Sequence, residues 1–335
     1  MSFYLHLTTA PTQGYGQRGI RHTVALILFF LALLAKEQSV ILPFLIIAYE
    51  LCFTEKSYKV FSKRCWYIVN FFIVLAGYFL LRKALFGFAV TATLAGPQEY
   101  RVILLAIPRS ILIYLSIIMF PYSLHYYRSQ DILLPFTGPI VLLLGFVLLA
   151  TRLIIRLPSP QKQWMIFGLS WFGISLLPTL NIFPLINEYS FILTSEHFLY
   201  FPIIGVFLFV MGVLFDGFSK IKEDKTFLIC FIACGLVSMI YLGMTVKQNS
   251  YWRSEISLFE RTLKFEKNFG RVRLLLAKAY ANEGRFQEAV AEDFKALAIM
   301  WGYTQKVKNS QIEEFYLGYI KEIHFHLGSC FAVLG

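Results

Sequence analysis

An all-α fold is what this sequence predicts: a polytopic bundle of about seven to eight transmembrane helices, followed by the first helices of an α-solenoid. Three observations point there. Hydrophobic residues make up 57% of the 335 residues and charged ones only 15%, with a mean hydropathy of +0.62, more apolar than a water-soluble domain needs to fill its core. Apolar runs of roughly 15–20 residues recur along residues 22–246, long enough to cross a hydrocarbon layer of about 30 Å where the membrane thins or flanking residues snorkel. Charge then concentrates at the end: residues 1–245 carry 18 Lys/Arg and 10 Asp/Glu, whereas 246–335 carry 13 and 10.

These shifts divide the chain into a polar N-terminal segment (1–21), a membrane domain (22–246) and a tail (247–335) expected outside the cytoplasm. The apolar segments are 22–35, 39–53, 65–81, 102–120, 136–155, 164–180, 198–215 and 226–246. Between the first two, "LLAKEQSVILP" (33–43) sets Lys36, Glu37 and Gln38 in a run too long for one untilted span, so a tight turn at Ala35–Gln38 is expected. Charges at membrane depth are costly without partners. Lys36 and Glu37 therefore either cap that turn or line a polar cavity. The basic loops 54–64, 152–163 and 219–225 should face the cytoplasm. Three apolar segments between the first two of these cannot all cross, and 102–120, broken by Pro108 and Arg109, is the one expected to stop short. Residues 1–21 lack the basic-then-apolar order of a signal peptide.

In the tail, "RLLLAKAYANEGRFQEAVAEDFKALAI" (273–299) has the spacing of a tetratricopeptide repeat. Leu276, Ala277 and Tyr280 fall in a first helix, Gly284 in the turn, and Ala289, Ala296 and Leu297 in a second. Asp293 stands where an aromatic is usual and Trp301 where a closing proline is usual. A second copy starts at 324, where Leu327, Gly328, Phe331 and Gly335 repeat that register after an insertion near 301–320. The helix so started has no partner in the sequence, and truncation of a longer protein is the expectation.

The five cysteines (52, 65, 230, 234 and 330) form no CxxC pair and read as buried thiols. The six histidines are scattered and His324 and His326 belong to a repeat helix, so no metal constellation is expected. The net charge of +11 sits largely in loops beside apolar segments, which argues against nucleic acid as a partner. No glycine-rich nucleotide loop precedes a helix.

Several stretches together resemble membrane glycosyltransferases of the GT-C superfamily that carry C-terminal tetratricopeptide repeats, such as the transmembrane O-mannosyltransferases and their bacterial relatives. They are "LLAKEQSVILPFLIIAYEL" (33–51), "MFPYSLHYYRS" (119–129), "WFGISLLPTLNIFPL" (171–185), "SEHFLYFPIIGVFL" (195–208) and "YWRSEISLFERTL" (251–263), in that order. His197 stands where the family usually has arginine, and His125 falls near an expected Ala-Asp. The resemblance implies transfer of a mannose-like sugar from a polyprenyl-phosphate carrier to a protein acceptor held by the repeats, with membrane lipid as surroundings. It also implies a catalytic acidic residue in a first external loop. Nothing before residue 22 supplies one, so the N-terminus is expected to be truncated as well and the catalytic residue is left unassigned.

Such a transfer needs a carboxylate to take the acceptor hydroxyl's proton and cations to hold the departing phosphate. The substrate-binding candidates are Lys36, Glu37, Arg109, Glu196, His197 and Tyr200; Lys36 and Arg109 would bind phosphate, while Glu196 and His197 would orient donor or acceptor. His125, Tyr126, Arg128, Asn181 and Glu188 share the expected external face, and Asp131, like His125, reads mainly as surface loop. Two readings stand beside this one: a membrane-anchored repeat scaffold without catalysis, and a lipid-linked-glycan flippase or polymerase, which would not need the repeats.

Overall fold

The computed structural model describes residues 15–53, 58–86, 97–121, 123–126, 128, 137–156, 159–180, 194–219, 224–305 and 311–335. Among these the fold is all-α, and the one β-type pairing is an isolated antiparallel bridge between Arg128 and Thr194. The helices are α1 (Tyr15–Ala35), α2 (Leu42–Phe53), α3 (Tyr58–Phe86), α4 (Pro97–Met119), α5 (Thr137–Arg156), α6 (Ser159–Leu176), α7 (Pro202–Ser219), α8 (Asp224–Ser250), α9 (Glu255–Phe265), α10 (Gly270–Asn282), α11 (Phe286–Thr304) and α12 (Gln311–Leu334). Each apolar segment read from the sequence overlaps one of α1–α8, with 39–41, 177–180 and 198–201 outside the α-helices. Two stretches of the described residues, Cys65–Leu85 and Leu228–Arg253, are long and apolar enough to cross a bilayer; Gly19–Ala35, Ile107–Met119 and Pro202–Leu214 are shorter apolar helices. α4 runs unbroken through Pro108, so proline does not interrupt the helix as the sequence suggested. The ring removes one N–H donor, and the helix continues despite it.

The chain forms two compact units: residues 1–94, 141–191 and 198–220 in the first, and 95–140, 192–197 and 221–335 in the second. In the first unit α1 ends at Ala35 because Lys36 adopts an extended backbone (φ −157°, ψ 125°), and a 3₁₀ turn, Glu37–Ile41, leads into α2. The Ser39 hydroxyl and the Lys36 N–H both donate to the Ala32 carbonyl, at 3.0 and 2.9 Å, satisfying a helix end that would otherwise be bare. The turn expected at Ala35–Gln38 is therefore present. Phe29, Leu33, Ile41, Leu45, Ile46, Phe71 and Leu75 from α1, the turn, α2 and α3 form the core.

α6 and α7 cross in the same unit with almost no side chain between them. A Cβ on Gly168 would lie 2.6 Å from the Gly205 carbonyl and 2.7 Å from the Phe209 nitrogen, so only glycine fits. Small residues at a crossing are how apolar helices gain contact when surrounding chains are as oily as leucine.

In the second unit, α10 and α11 form an antiparallel hairpin. Gly284 adopts φ +80°, Arg285 N–H donates to Tyr280 O and Gly284 N–H to Ala281 O, each at 2.9 Å, the Schellman closure that glycine favours. Leu276, Ala277, Tyr280, Ala289 and Ala296 are buried in this hairpin. The insertion near 301–320 is not one loop: with no proline at 301, α11 continues to Thr304, and α12 begins at Gln311. Stacked Tyr303 and Tyr316, 5.2 Å apart, join the lengthened ends. On α12, Leu327 is buried, whereas Gly328 and Phe331, placed by the repeat register with Ala277 and Tyr280, are exposed.

Candidate functional site

The residues that sequence reasoning nominated fall into two groups. Lys36, Glu37 and Tyr200 belong to the first unit; Arg109, Glu196 and His197 belong to the second.

In the first unit Lys36 is exposed and does not pair with Glu37. Glu37 instead faces Arg82 of α3, Oε1 to Nη1 at 3.6 Å, and the same Nη1 donates to Tyr78 Oη at 3.4 Å. Arg82 is buried (8% exposed) although it closes an apolar helix. Sequence reading missed it because a basic residue at the end of such a helix normally reaches outward to water. Tyr200 is 76% exposed. It lies on the short link between the 3₁₀ turn Glu196–Leu199 and α7.

The second unit gathers the larger cluster. The segment 194–197 pairs with 123–128 through Arg128 N–H to Thr194 O at 3.1 Å. Glu196 accepts the main-chain N–H of His125, and its Oε1 is 3.8 Å from Arg128 Nη2. Arg128 Nη2 also donates to Ser123 O at 2.7 Å. Ser195 donates to Tyr126 O at 3.0 Å and so receives its 2.7 Å contact with His197 from the imidazole, which fixes the His197 proton on Nδ1. His125 Nδ1, 2.6 Å from Ser123 O, must likewise donate, while its Nε2 points at Glu266 Oε1 3.6 Å away. The His125 ring stacks on Phe265 at 5.0 Å. Tyr126 N–H donates to Thr262 Oγ1 at 3.2 Å, tying the loop to α9.

Burial pushes the Glu196 carboxyl up to about 7, against the opposing pull of the His125 N–H, Arg128 and Arg261. A carboxyl poised there can hold or release a proton near neutrality. The guanidinium of Arg261, over the rings of Tyr251 and Phe265 at 4.6 and 4.5 Å, adds a second positive charge. Arg261 and Thr262 were not legible beforehand, since on α9 they look like members of an ordinary amphipathic helix. Arg109, on α4 of the same unit, keeps Nη1 buried without a hydrogen-bond partner. Asp131, Asn181 and Glu188 lie outside the described residues.

One further grouping was not anticipated from the sequence. Asp293, His326 and Cys330 each offer a ligand atom within 4.8 Å of the others, a grouping able to hold a metal ion. Scattered histidines concealed it because one ligand comes from α11 and two from successive turns of α12. Comparison of the chain with family profiles, with curated proteins and with solved structures found no match.

Proposed function

We propose that this chain is a membrane-embedded glycosyltransferase of the GT-C type, moving a mannose-like sugar from a polyprenyl-phosphate carrier to a hydroxyl of an acceptor protein. The observation that carries the reading is the Glu196 cluster: a half-buried carboxyl titrating near 7 beside the guanidinium of Arg128, with Arg261 contributing to its field. Cations of this kind suit a departing phosphate, and a neutral-range carboxyl suits an acceptor hydroxyl. The helices supply the membrane part of the proposal. Leu228–Arg253 has none of its apolar length buried in protein, and Val141, Leu142, Leu144 and Leu148 of α5 are all exposed. Apolar surface on this scale suits lipid, so we propose a polytopic bundle of seven or eight spans with the tail outside the cytoplasm. The α10–α12 helices would be tetratricopeptide repeats presenting the acceptor.

The test is transfer of radiolabelled mannose from polyprenyl phosphate to Ser/Thr-rich acceptor peptides, using membranes that contain the full chain. Glu196→Gln and Arg128→Ala should each lower turnover at least 100-fold with expression unchanged, while Lys321→Ala should leave it intact. Equal turnover in all, or no transfer by the wild type, removes the reading. A membrane-anchored repeat scaffold is then favoured by Phe325 and Phe331, 80% and 49% exposed on α12.

A further inference from the structure

Asp293 is fully buried on α11. Its Oδ2 is 2.6 Å from His326 Nδ1, yet its Oδ1 has no hydrogen-bond partner. A buried carboxyl oxygen left without a partner is unfavourable. His326 Nε2 also lies 3.9 Å from Cys330 Sγ. Two ligands on one tetrahedral zinc, bonded at about 2.0–2.1 Å for nitrogen and 2.3 Å for sulfur, are separated by about 3.6 Å. His326 and Cys330 stand four residues apart on one helix face, so α12 holds both rigidly and α11 presents the carboxylate.

We propose that the α11–α12 interface is a binding site for a divalent cation of the zinc class, built from Asp293, His326 and Cys330. An ion at the centre of three atoms no more than 4.8 Å apart lies within about 2.8 Å of each, and sub-ångström closure brings it to bonding distance. Binding converts the thiol to a thiolate and releases its proton to solvent. Carboxylate and thiolate then balance the ion's two charges, so the interior holds no net charge where it now holds an incompletely satisfied carboxylate. Sulfur, imidazole and carboxylate together select zinc-like ions over magnesium or calcium. Lys278, whose charge acts on Asp293, would repel the ion, but its ammonium is held 2.6 Å from Glu322. A nucleophilic triad is the other chemistry such residues suggest. Burial excludes it: Cys330 is 2% exposed and its thiol is pushed above the ordinary range. The site rests on none of the residues of the proposed transferase.

The full chain in detergent, stripped with chelator, is titrated with Co²⁺ and then with Zn²⁺. About one equivalent of Co²⁺ should produce a thiolate-to-cobalt band in the near ultraviolet with tetrahedral bands in the visible, all bleached by Zn²⁺. The band should survive simultaneous replacement of Cys52, Cys65, Cys230 and Cys234 by serine and vanish with Cys330→Ser; Asp293→Asn should weaken binding 10–100-fold. Should Cys330→Ser misfold, zinc-edge X-ray absorption of the chain lacking the other four cysteines decides instead, with one sulfur near 2.3 Å expected. Absence of the thiolate band, its survival in Cys330→Ser, or a zinc shell without sulfur overturns the site.

Discussion

Glu196 and the main-chain N–H of His125 are 71 residues apart in sequence and share a hydrogen bond. That contact fastens two loops together, yet burial still outweighs it and raises the Glu196 carboxyl from 4.5 to about 7. The folded state therefore favours the protonated acid. This contribution to stability is fully present below about pH 4.5 and is lost as pH rises to 7, by about 3 kcal/mol at most. Glu196→Gln keeps the acceptor oxygen for His125 and cannot ionise. The difference in unfolding free energy between the two proteins, measured by denaturant titration in detergent from pH 4 to 8, should grow with pH in favour of the variant. A flat difference would mean that Glu196 titrates as it does in water.

Arg82 and Glu37 offer a different kind of test. At 3.6 Å, with Glu37 42% exposed, the pair is worth about 0.5–1 kcal/mol after solvent screening. Replacing Arg82 by leucine exchanges a buried guanidinium for apolar contact, and such exchanges are often neutral. Glu37→Gln, by contrast, leaves that guanidinium in place and removes a carboxylate. A double-mutant cycle should give a coupling of about 0.5–1 kcal/mol, with Glu37→Gln the more damaging of the two single changes. Zero coupling would show that the two charges meet only through solvent.

Helix content, the break after α1 and the hairpin glycine were readable because each depends on local chemistry. Apolar runs locate α1–α8, Lys36–Gln38 marks the break between α1 and α2, and Gly284 marks the α10–α11 turn. The polar clusters were not readable to the same degree. Glu196 and His197 drew notice through a motif, but Arg261, Thr262 and Arg82 acquire their roles only when distant segments meet. Asp293 illustrates the difference best: in sequence it is a departure from an aromatic position, and in the fold it is a buried carboxylate bonded to a histidine 33 residues away. Long-range polar pairing leaves no periodic trace.

The α6–α7 crossing predicts intolerance at a single hydrogen atom. With a Cβ on Gly168 set 2.6 Å from a main-chain carbonyl that cannot rotate away, Gly168→Ala should separate the helices and cost on the order of 2 kcal/mol through lost contact. Gly173, on the same helix with open space around its position, is the control. Gly173→Ala should be neutral or slightly stabilising. Thermal unfolding in a fixed detergent separates the two, and equal midpoints would mean that the crossing loosens at no cost.

The same substitution should also have opposite signs at two glycines of the tail. Gly284 has φ +80° and nothing within 4 Å of a would-be Cβ, so Gly284→Ala meets no clash and is penalised only by its left-handed backbone, by about 1–2 kcal/mol. Gly302 lies inside α11 with equally open surroundings and ordinary helical dihedrals, where alanine gains about 0.5–1 kcal/mol by restricting the unfolded chain. Because neither site touches a neighbour, packing cancels from the comparison and only backbone conformation remains. Chemical denaturation of the full chain, monitored through the tail's tryptophans, should move its midpoint down for Gly284→Ala and up for Gly302→Ala. If both shift the same way, the Schellman closure does not govern the stability of the α10–α11 hairpin.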